Sequence, residues 1–328
     1  MMTKSVWCFL GLLATLVCVS SCAPTARDGA RKPRFGFVIN VSGARFWEIA
    51  HAGCLQAAEE EGVTVDYQVP GESTAAQQKQ IVETLISKGI QGLAITPLNP
   101  GSLGRVIDEA SETMPVLCQD SDAPHSKRLC YIGTDNVAAG RAAGKAMLRA
   151  LPEGGDVALF VGQLDVGNAR ERQQGVLEVL AGSNCHVVGT FTDGGDRPTA
   201  RANAADALAK YPRLKGIIGL WGYNGPMAAK ALEDSPGRDV KIVAADDDVD
   251  TLLAIRAGKI VYSIAQQPYE FGYRSIKMLA RLNRKEAVEI PESKCIFVPT
   301  ILVDRQNVDA IEAKAGEKMA LLKKYLSQ

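Results

Sequence analysis

The sequence predicts an α/β protein of two similar, Rossmann-like lobes, each a parallel sheet wrapped by helices. Three observations lead there. Short, nearly continuous apolar runs alternate with helix-patterned segments along almost the whole chain. The runs fall into two series of five. A helix of small residues, Val137-Ala-Ala-Gly140-Arg-Ala-Ala-Gly144, follows Asp135-Asn136 and divides the series. Apolar strands separated by helices form parallel sheets covered on both faces. In such sheets ligands bind beyond the carboxyl ends of the strands, so two facing lobes enclose a ligand between them.

Ahead of the first strand, Lys4 precedes an apolar run from Val6 to Val19 that ends in Ser20-Ser21-Cys22. The run is shorter than the ~20 residues of a membrane span. A charged start, a short apolar core and small residues before a cleavage point read as a secretory signal over 1–21. Small residues directly before Cys22 fit lipoprotein processing, in which that cysteine is acylated; an ordinary signal with an incidental cysteine is the alternative. Residues 22–33 lack large apolar side chains and read as a tether. The first strand series is Arg34–Asn40, Val63–Val69, Gln91–Thr96, Pro115–Gln119 and Leu129–Gly133. The second is Asp156–Val161, His186–Phe191, Gly216–Leu220, Lys241–Ala245 and Ile260–Ala265. Between them, Phe46, Ile49, Ala50, Gly53, Cys54 and Ala57 recur at steps of three and four, as a buried helix face does. The segment from Ala310 to Gln328 reads as an amphipathic helix, with Met319, Leu322 and Leu326 on a face expected to pack on the second lobe.

Lysine and arginine number 37, as do aspartate and glutamate. Without a clustered basic face, nucleic-acid binding is not expected. Cys54, Cys118, Cys130, Cys185 and Cys295 remain after the signal and Cys22 are set aside, and none forms a C-x-x-C pair. Burial as small apolar residues is the favoured reading, and a Cys118–Cys130 bridge is left open because both sit at ends of successive strands. Gly140-x-x-x-Gly144-Lys145-Ala146 lacks the spacing and hydroxyl of a phosphate loop and reads as close helix packing. Asp246, Asp248 and Asp250 have calcium-loop spacing, but Thr251 and Ala257 stand where the loop needs glycine and glutamate. The three histidines lack metal-ligand spacing, no G-x-S-x-G elbow occurs, and no cofactor is expected.

Several segments together resemble the ribose- and galactose-type periplasmic binding proteins, the solute receptors of ATP-driven sugar importers. They are Phe37-Val-Ile-Asn-Val-Ser-Gly-Ala-Arg-Phe46-Trp47, Ile95-Thr-Pro97, Pro115-Val-Leu-Cys-Gln-Asp120, Tyr131-Ile-Gly-Thr-Asp135-Asn136, Asn168-Ala-Arg170-Glu-Arg172, Asn224-Gly-Pro-Met-Ala-Ala, Val243-Ala-Ala-Asp246 and Ser263-Ile-Ala-Gln266. Each is weak alone; their order and spacing from Arg34 to about Asp309 carry the likeness. The lac-repressor-type effector domain shares this fold, but here a signal replaces any DNA-binding headpiece. The resemblance implies a three-crossing hinge, near Thr134-Asp135, after Gln266 and near Glu292 to Cys295. The N-lobe would then be 34–134 plus 267–291, and the C-lobe 135–266 plus 292–328.

The resemblance also implies a site. Sugars present apolar ring faces, covered by aromatic rings, and a hydroxyl rim, served by multidentate polar groups. Phe46 and Trp47 match the family's aromatic pair, Asp120 the acid ending the fourth strand, and Arg170 the arginine of the A-R-E-R helix start. Asn224 matches the asparagine opening a later helix, Asp246 the aspartate after the ninth strand and Gln266 the glutamine at the second crossing. Core packing for the aromatic pair, helix capping for Asn224 and Asp246, an internal ion pair for Arg170, and hinge or loop roles for Asp120 and Gln266 are the plainer alternatives. The chain departs from the ribose pattern at Ala44 and Arg45, Thr96 and Ser121. It lacks the second-lobe aromatic near Gly194-Gly195, and the longer Leu220-Trp-Gly-Tyr223 segment places Trp221 to supply that face. Ribose itself is therefore not implied, though a monosaccharide, pentose or hexose, or a related polyol is.

The expected function is an extracytoplasmic lipoprotein, in the periplasm or on the outer cell surface, that binds such a ligand by lobe closure and delivers it to an ABC importer's permease. The chain is expected to be monomeric and not an enzyme. A ligand-presenting sensor for a membrane receptor is the alternative; a secreted sugar-acting enzyme is less favoured.

Overall fold

The computed structural model describes residues 32–41 and 45–327. The expected signal, Cys22, most of the expected tether and Ala44 lie outside the described residues. All ten expected strands are present. The first lobe begins β1 (Arg34–Val38), α1 (Arg45–Glu61), β2 (Thr64–Gln68), α2 (Ala75–Ser87), β3 (Gly92–Ile95), α3 (Pro100–Ser111), β4 (Val116–Gln119) and β5 (Cys130–Gly133). The chain then crosses through Thr134-Asp135 into α4 (Asn136–Ala150), β6 (Gly155–Val161), α5 (Gly167–Leu180), β7 (Cys185–Thr192) and α6 (Arg197–Lys210). The second lobe continues with β8 (Leu214–Gly219), α7 (Asn224–Glu233), β9 (Lys241–Ala245), α8 (Val249–Arg256) and β10 (Tyr262–Ala265). A return crossing at Gln266-Gln267 leads to α9 (Pro268–Asn283) and β11 (Cys295–Phe297), and a last one to β12 (Ile301–Val303) and α10 (Val308–Leu326).

The two sheets have one topology. Strand order is β11-β5-β4-β3-β1-β2 in the first and β12-β10-β9-β8-β6-β7 in the second. All pairings are parallel except β10 with β12. Phe35, Phe37 and Val38 in β1 and Leu159, Phe160 and Val161 in β6 are buried on both faces, as helix-covered parallel strands must be. The equivalence pairs β4 with β9 and β5 with β10, so the loops after β4 and β9 occupy matching places.

The third crossing falls at 298–300 rather than near 292–295. β11 pairs with β5 as a sixth strand of the first sheet before the chain leaves it. The small-residue helix has the packing role expected of it. A Cβ on Gly140 would stand 2.0 Å from the Arg172 carbonyl oxygen, and one on Gly175 would stand 2.1 Å from that of Val137. Only glycine lets α4 and α5 approach so closely.

The free cysteines include both Cys118 and Cys130, which corrects the bridge left open above. In the β4–β5 ladder Cys118 pairs with Tyr131, whereas Cys130 pairs with Leu117. With a side-chain period of two, the thiols point to opposite faces, Cys118 joining one buried cluster and Cys130 another.

Helix α10 serves both lobes rather than the second alone. Its first turns insert Val308 and Ile311 into the C-lobe core, and Arg256 pairs with Asp309 at 2.7 Å and with Glu312. Its later turns reach the first lobe, where Tyr325 Oη donates to Gln56 Oε1 at 2.8 Å and bonds Glu59, and Lys318 Nζ lies 4.9 Å from the Tyr269 ring centre. Leu322 is buried, but Leu326 is exposed and does not continue the buried face.

Candidate functional site

The carboxyl ends of both sheets are fixed by buried side chains. Gln78, on α2 and fully buried, donates to Ile39 O at 2.9 Å and Thr96 O at 2.8 Å, and accepts from Leu98 N at 2.9 Å. One amide thus ties the loop after β1 to the loop after β3. Beside it, buried Gln119 donates through Nε2 to Thr96 Oγ1. Buried amides held this way are rigid, because breaking any bond leaves an unsatisfied polar atom.

Asp120 and Asp246 occupy corresponding positions, directly after β4 and β9. Both have left-handed backbones, with φ of 61° and 62°, a conformation uncommon outside glycine and tolerated best by Asp and Asn. Tyr131 Oη donates to Asp120 O at 2.9 Å, and Ser263 Oγ donates to Asp246 O at 2.6 Å, pinning both turns. Burial pushes the Asp120 carboxyl up to about 7; Arg172 opposes the rise, and the Asp246 charge in the other lobe adds to it. The neighbouring Asp247 is pushed up to about 6 by burial and by Asp246, with Arg45 opposing. Burial and Asp246 also raise Asp248. Carboxylates so crowded and dehydrated favour ligands that donate hydrogen bonds.

Gln266 stands at the second crossing. Its Oε1 accepts from Thr134 Oγ1 at 2.9 Å, at the first crossing, and its Nε2 donates to Asp246 Oδ1 at 2.9 Å. It therefore joins the hinge to one of the paired aspartates.

Arg170 and Arg172 part company. Arg170 is exposed and donates to Asp165 O at 2.7 Å on its own surface. Arg172 is buried, donating through Nε to Asn136 Oδ1 and through Nη1 to Leu220 O, both at 2.9 Å, and its charge acts on Asp120. The structure brings Arg172, not Arg170, to the other polar groups. Helical spacing carried the signal, since Ala169, Arg172 and Val176 share the buried stripe of α5 and Arg170 lies off it.

The aromatic residues also divide. Trp47 is buried in the N-lobe core, and its carbonyl accepts from Tyr67 Oη at 2.8 Å. Phe46 is half-buried, 4.9 Å from Trp47 and 6.1 Å from Phe271 between ring centres. In the other lobe Trp221 is half-buried over the end of β6, its Nε1 donating to Asn168 Oδ1 at 3.3 Å. A Cβ on Gly162 would fall 1.9 Å from this indole, so that glycine makes room for the ring. Asn224 is buried with both ends of its amide used inside the C-lobe, Oδ1 accepting from Trp221 N at 3.0 Å and Nδ2 donating to Asp193 Oδ2 at 2.9 Å. Tyr223 Oη bonds the other Asp193 oxygen. Asn224 and Asp193, the latter not anticipated, brace the loop that carries Trp221. No group of three or more metal-ligating side chains is placed to hold an ion among the described residues.

The ribose import binding protein of Salmonella typhimurium is 24% identical to this chain over 279 residues, covering 84% of this chain and 94% of its own length. The D-allose-binding periplasmic protein of Escherichia coli K12 is 26% identical over 322 residues, covering 92% and 99%. Among solved structures, an ABC transporter solute-binding protein from Burkholderia graminis in complex with D-arabinose is 30% identical, with a TM-score of 0.79 over 85% of this chain and 97% of that one. The family described as periplasmic binding protein domain matches residues 35–287. That span takes in both lobes and the first two crossings, and the chain therefore belongs to the periplasmic binding protein family.

Proposed function

We propose that this protein is an extracytoplasmic receptor that captures a monosaccharide, or a closely related polyol, between its lobes and hands it to an ABC importer. One observation carries the reading: Asp120 and Asp246 sit at equivalent left-handed turns of the two lobes, coupled electrically across the hinge, with the charge of Arg172 acting on Asp120. A pair of acceptors on opposite jaws suits a ligand whose hydroxyls radiate from a ring. Each hydroxyl bond to a charged group contributes about 1.5–3 kcal/mol, and contacts to both lobes exist together only when the cleft is closed. Ligand therefore favours closure by its differential affinity for the closed form, and a permease reads that form. Phe46 and Trp221 are the half-buried rings available to cover ring faces. The relatives' names support the sugar class, since they bind ribose, allose and arabinose.

In this reading Cys22 carries the lipid that holds the protein at the membrane, and the body is a monomer. Cys22→Ser moving the protein from the membrane to the soluble fraction would test the anchor. A thermal-unfolding panel of pentoses, hexoses, polyols and inositols tests the ligand class. At a hundredfold excess over Kd a specific ligand adds ~2.7 kcal/mol, a shift of several degrees. A panel with no stabiliser would overturn the monosaccharide reading. A second reading, presentation of ligand to a membrane receptor, draws on the XylFII–LytSN complex, whose chain is 27% identical with a TM-score of 0.76 over 84% of this one. Survival of ligand-dependent signalling without the importer's permease would favour it.

A further inference from the structure

The first loop of the N-lobe departs from the ribose pattern at Arg45, and this residue has a use of its own. We infer that Arg45 is a specificity-determining ligand contact, its guanidinium donating to an oxygen of the bound sugar at the start of α1.

Arg45 opens α1, beyond the carboxyl end of β1. The residue is half-buried, yet its Nη1 is shielded from solvent and has no hydrogen-bond partner among the described residues. Leaving such a nitrogen dry and unpaired is costly, so an acceptor brought by a bound molecule is stabilising there. Its charge reaches across the lobes, opposing the rise in both Asp247 and Asp248. No carboxylate among the described residues lies within 4.0 Å of it, the distance of an ion pair. The guanidinium and these acids are thus within electrostatic reach of each other without forming an ion pair.

Two further polar atoms on the same sheet edge are also buried and unpartnered, Asn40 Oδ1 after β1 and Oε1 of fully buried Gln119 at the end of β4. One donor and two acceptors, all unmet, form the mixed pattern that hydroxyls satisfy, since each hydroxyl both donates and accepts. Arginine only donates, so its partner is an oxygen. With Asp120, Asp246, Asp247 and Asp248 nearby, an anionic ligand is disfavoured, and the oxygen is a neutral hydroxyl or ring atom. The physical consequence is selectivity: a sugar lacking that oxygen leaves the nitrogen unpaired even when bound.

This inference rests on the sugar-binding reading, and calorimetric titration separates the two. The probes are D-ribose, D-allose and D-arabinose with their monodeoxy analogues, titrated into the full body after Cys22 as wild type, Arg45→Met and Arg45→Lys. Unchanged thermal midpoints without sugar verify that the variants fold. The expected result is a loss of more than tenfold for a parent sugar in Arg45→Met, a partial return in Arg45→Lys, and one deoxy analogue whose affinity the substitution leaves unaltered. That coupling identifies the contacted oxygen. Equal losses for parent and all deoxy sugars would make Arg45 a lobe latch paired with Asp247, and unchanged affinities would remove it from the site; either overturns the inference. Failure of every probe to bind wild type would instead overturn the sugar reading, and this inference with it.

Discussion

Asp120→Asn isolates the most strained charge in the cleft. Asparagine keeps the shape and tolerates the φ of 61°, so the change removes ionisation and little else. Raising a carboxyl from 3.8 to about 7 disfavours its ionised form by up to ~4 kcal/mol, at about 1.36 kcal/mol per pH unit. Asp120 is only half-buried, and solvent screening brings this to about 2 kcal/mol. Because the folded value lies above the unfolded one, the folded state holds a proton that the unfolded chain releases. The stability linked to it is full below pH ~4 and is lost as pH rises through about 7. Asparagine does not titrate, so the variant and wild type should melt together at pH 4. Above pH 7.5 the ligand-free variant should melt roughly 4–8 °C higher, on a scale of 2–4 °C per kcal/mol. His51, held down to about 4 by burial, and Asp247 titrate in both proteins and cancel in the difference. The assay is a thermal scan of both proteins from pH 4 to 8.5 without sugar. Parallel curves, or a gap widest at low pH, would refute the argument that burial and Asp246 hold this carboxyl up. At pH 7.5 the same variant should lose sugar affinity despite its gain in stability.

Arg172→Met should weaken sugar binding by roughly 30–100-fold, the effect of truncating a buried hydrogen-bonded charge, while Arg170→Ala stays within twofold; titration calorimetry reading the reverse order would exchange their roles. Trp221→Ala should reduce affinity more than tenfold as a stacking face is lost, and unchanged affinity would leave the ring a packing element over Gly162. Leu322→Ala, one turn before Tyr325 on α10, should cost about 2–4 kcal/mol in urea unfolding; a change below about 0.5 kcal/mol would mean that the end of α10 is not docked.

Much of this protein follows from sequence. The ten principal strands were legible because each is a short apolar or β-branched run flanked by a helical period, whether buried like β1 or at a sheet edge like β2 and β7. The close packing of the small-residue helix was written in residue size, although its partner, Gly175 on α5, was not. What escaped was decided by partners remote in the chain. β11 and β12 have three residues each, too few to show a period, and they exist because β5 and β10 offer open edges. That placed the third crossing beyond 292–295 and brought α10 onto both lobes. A motif match put Arg170 forward, whereas the helical spacing of Ala169, Arg172 and Val176 already marked Arg172 as the inward arginine. Trp47 and Asn224 carry the chemistry of a binding site, yet Tyr67 and Asp193, far away in sequence, engage them inside their lobes. The charge state of Asp120 is the clearest case: nothing next to it in sequence raises it. Dehydration by the fold and an aspartate from the other lobe do, because burial and long-range electrostatics arise only when the chain has closed on itself.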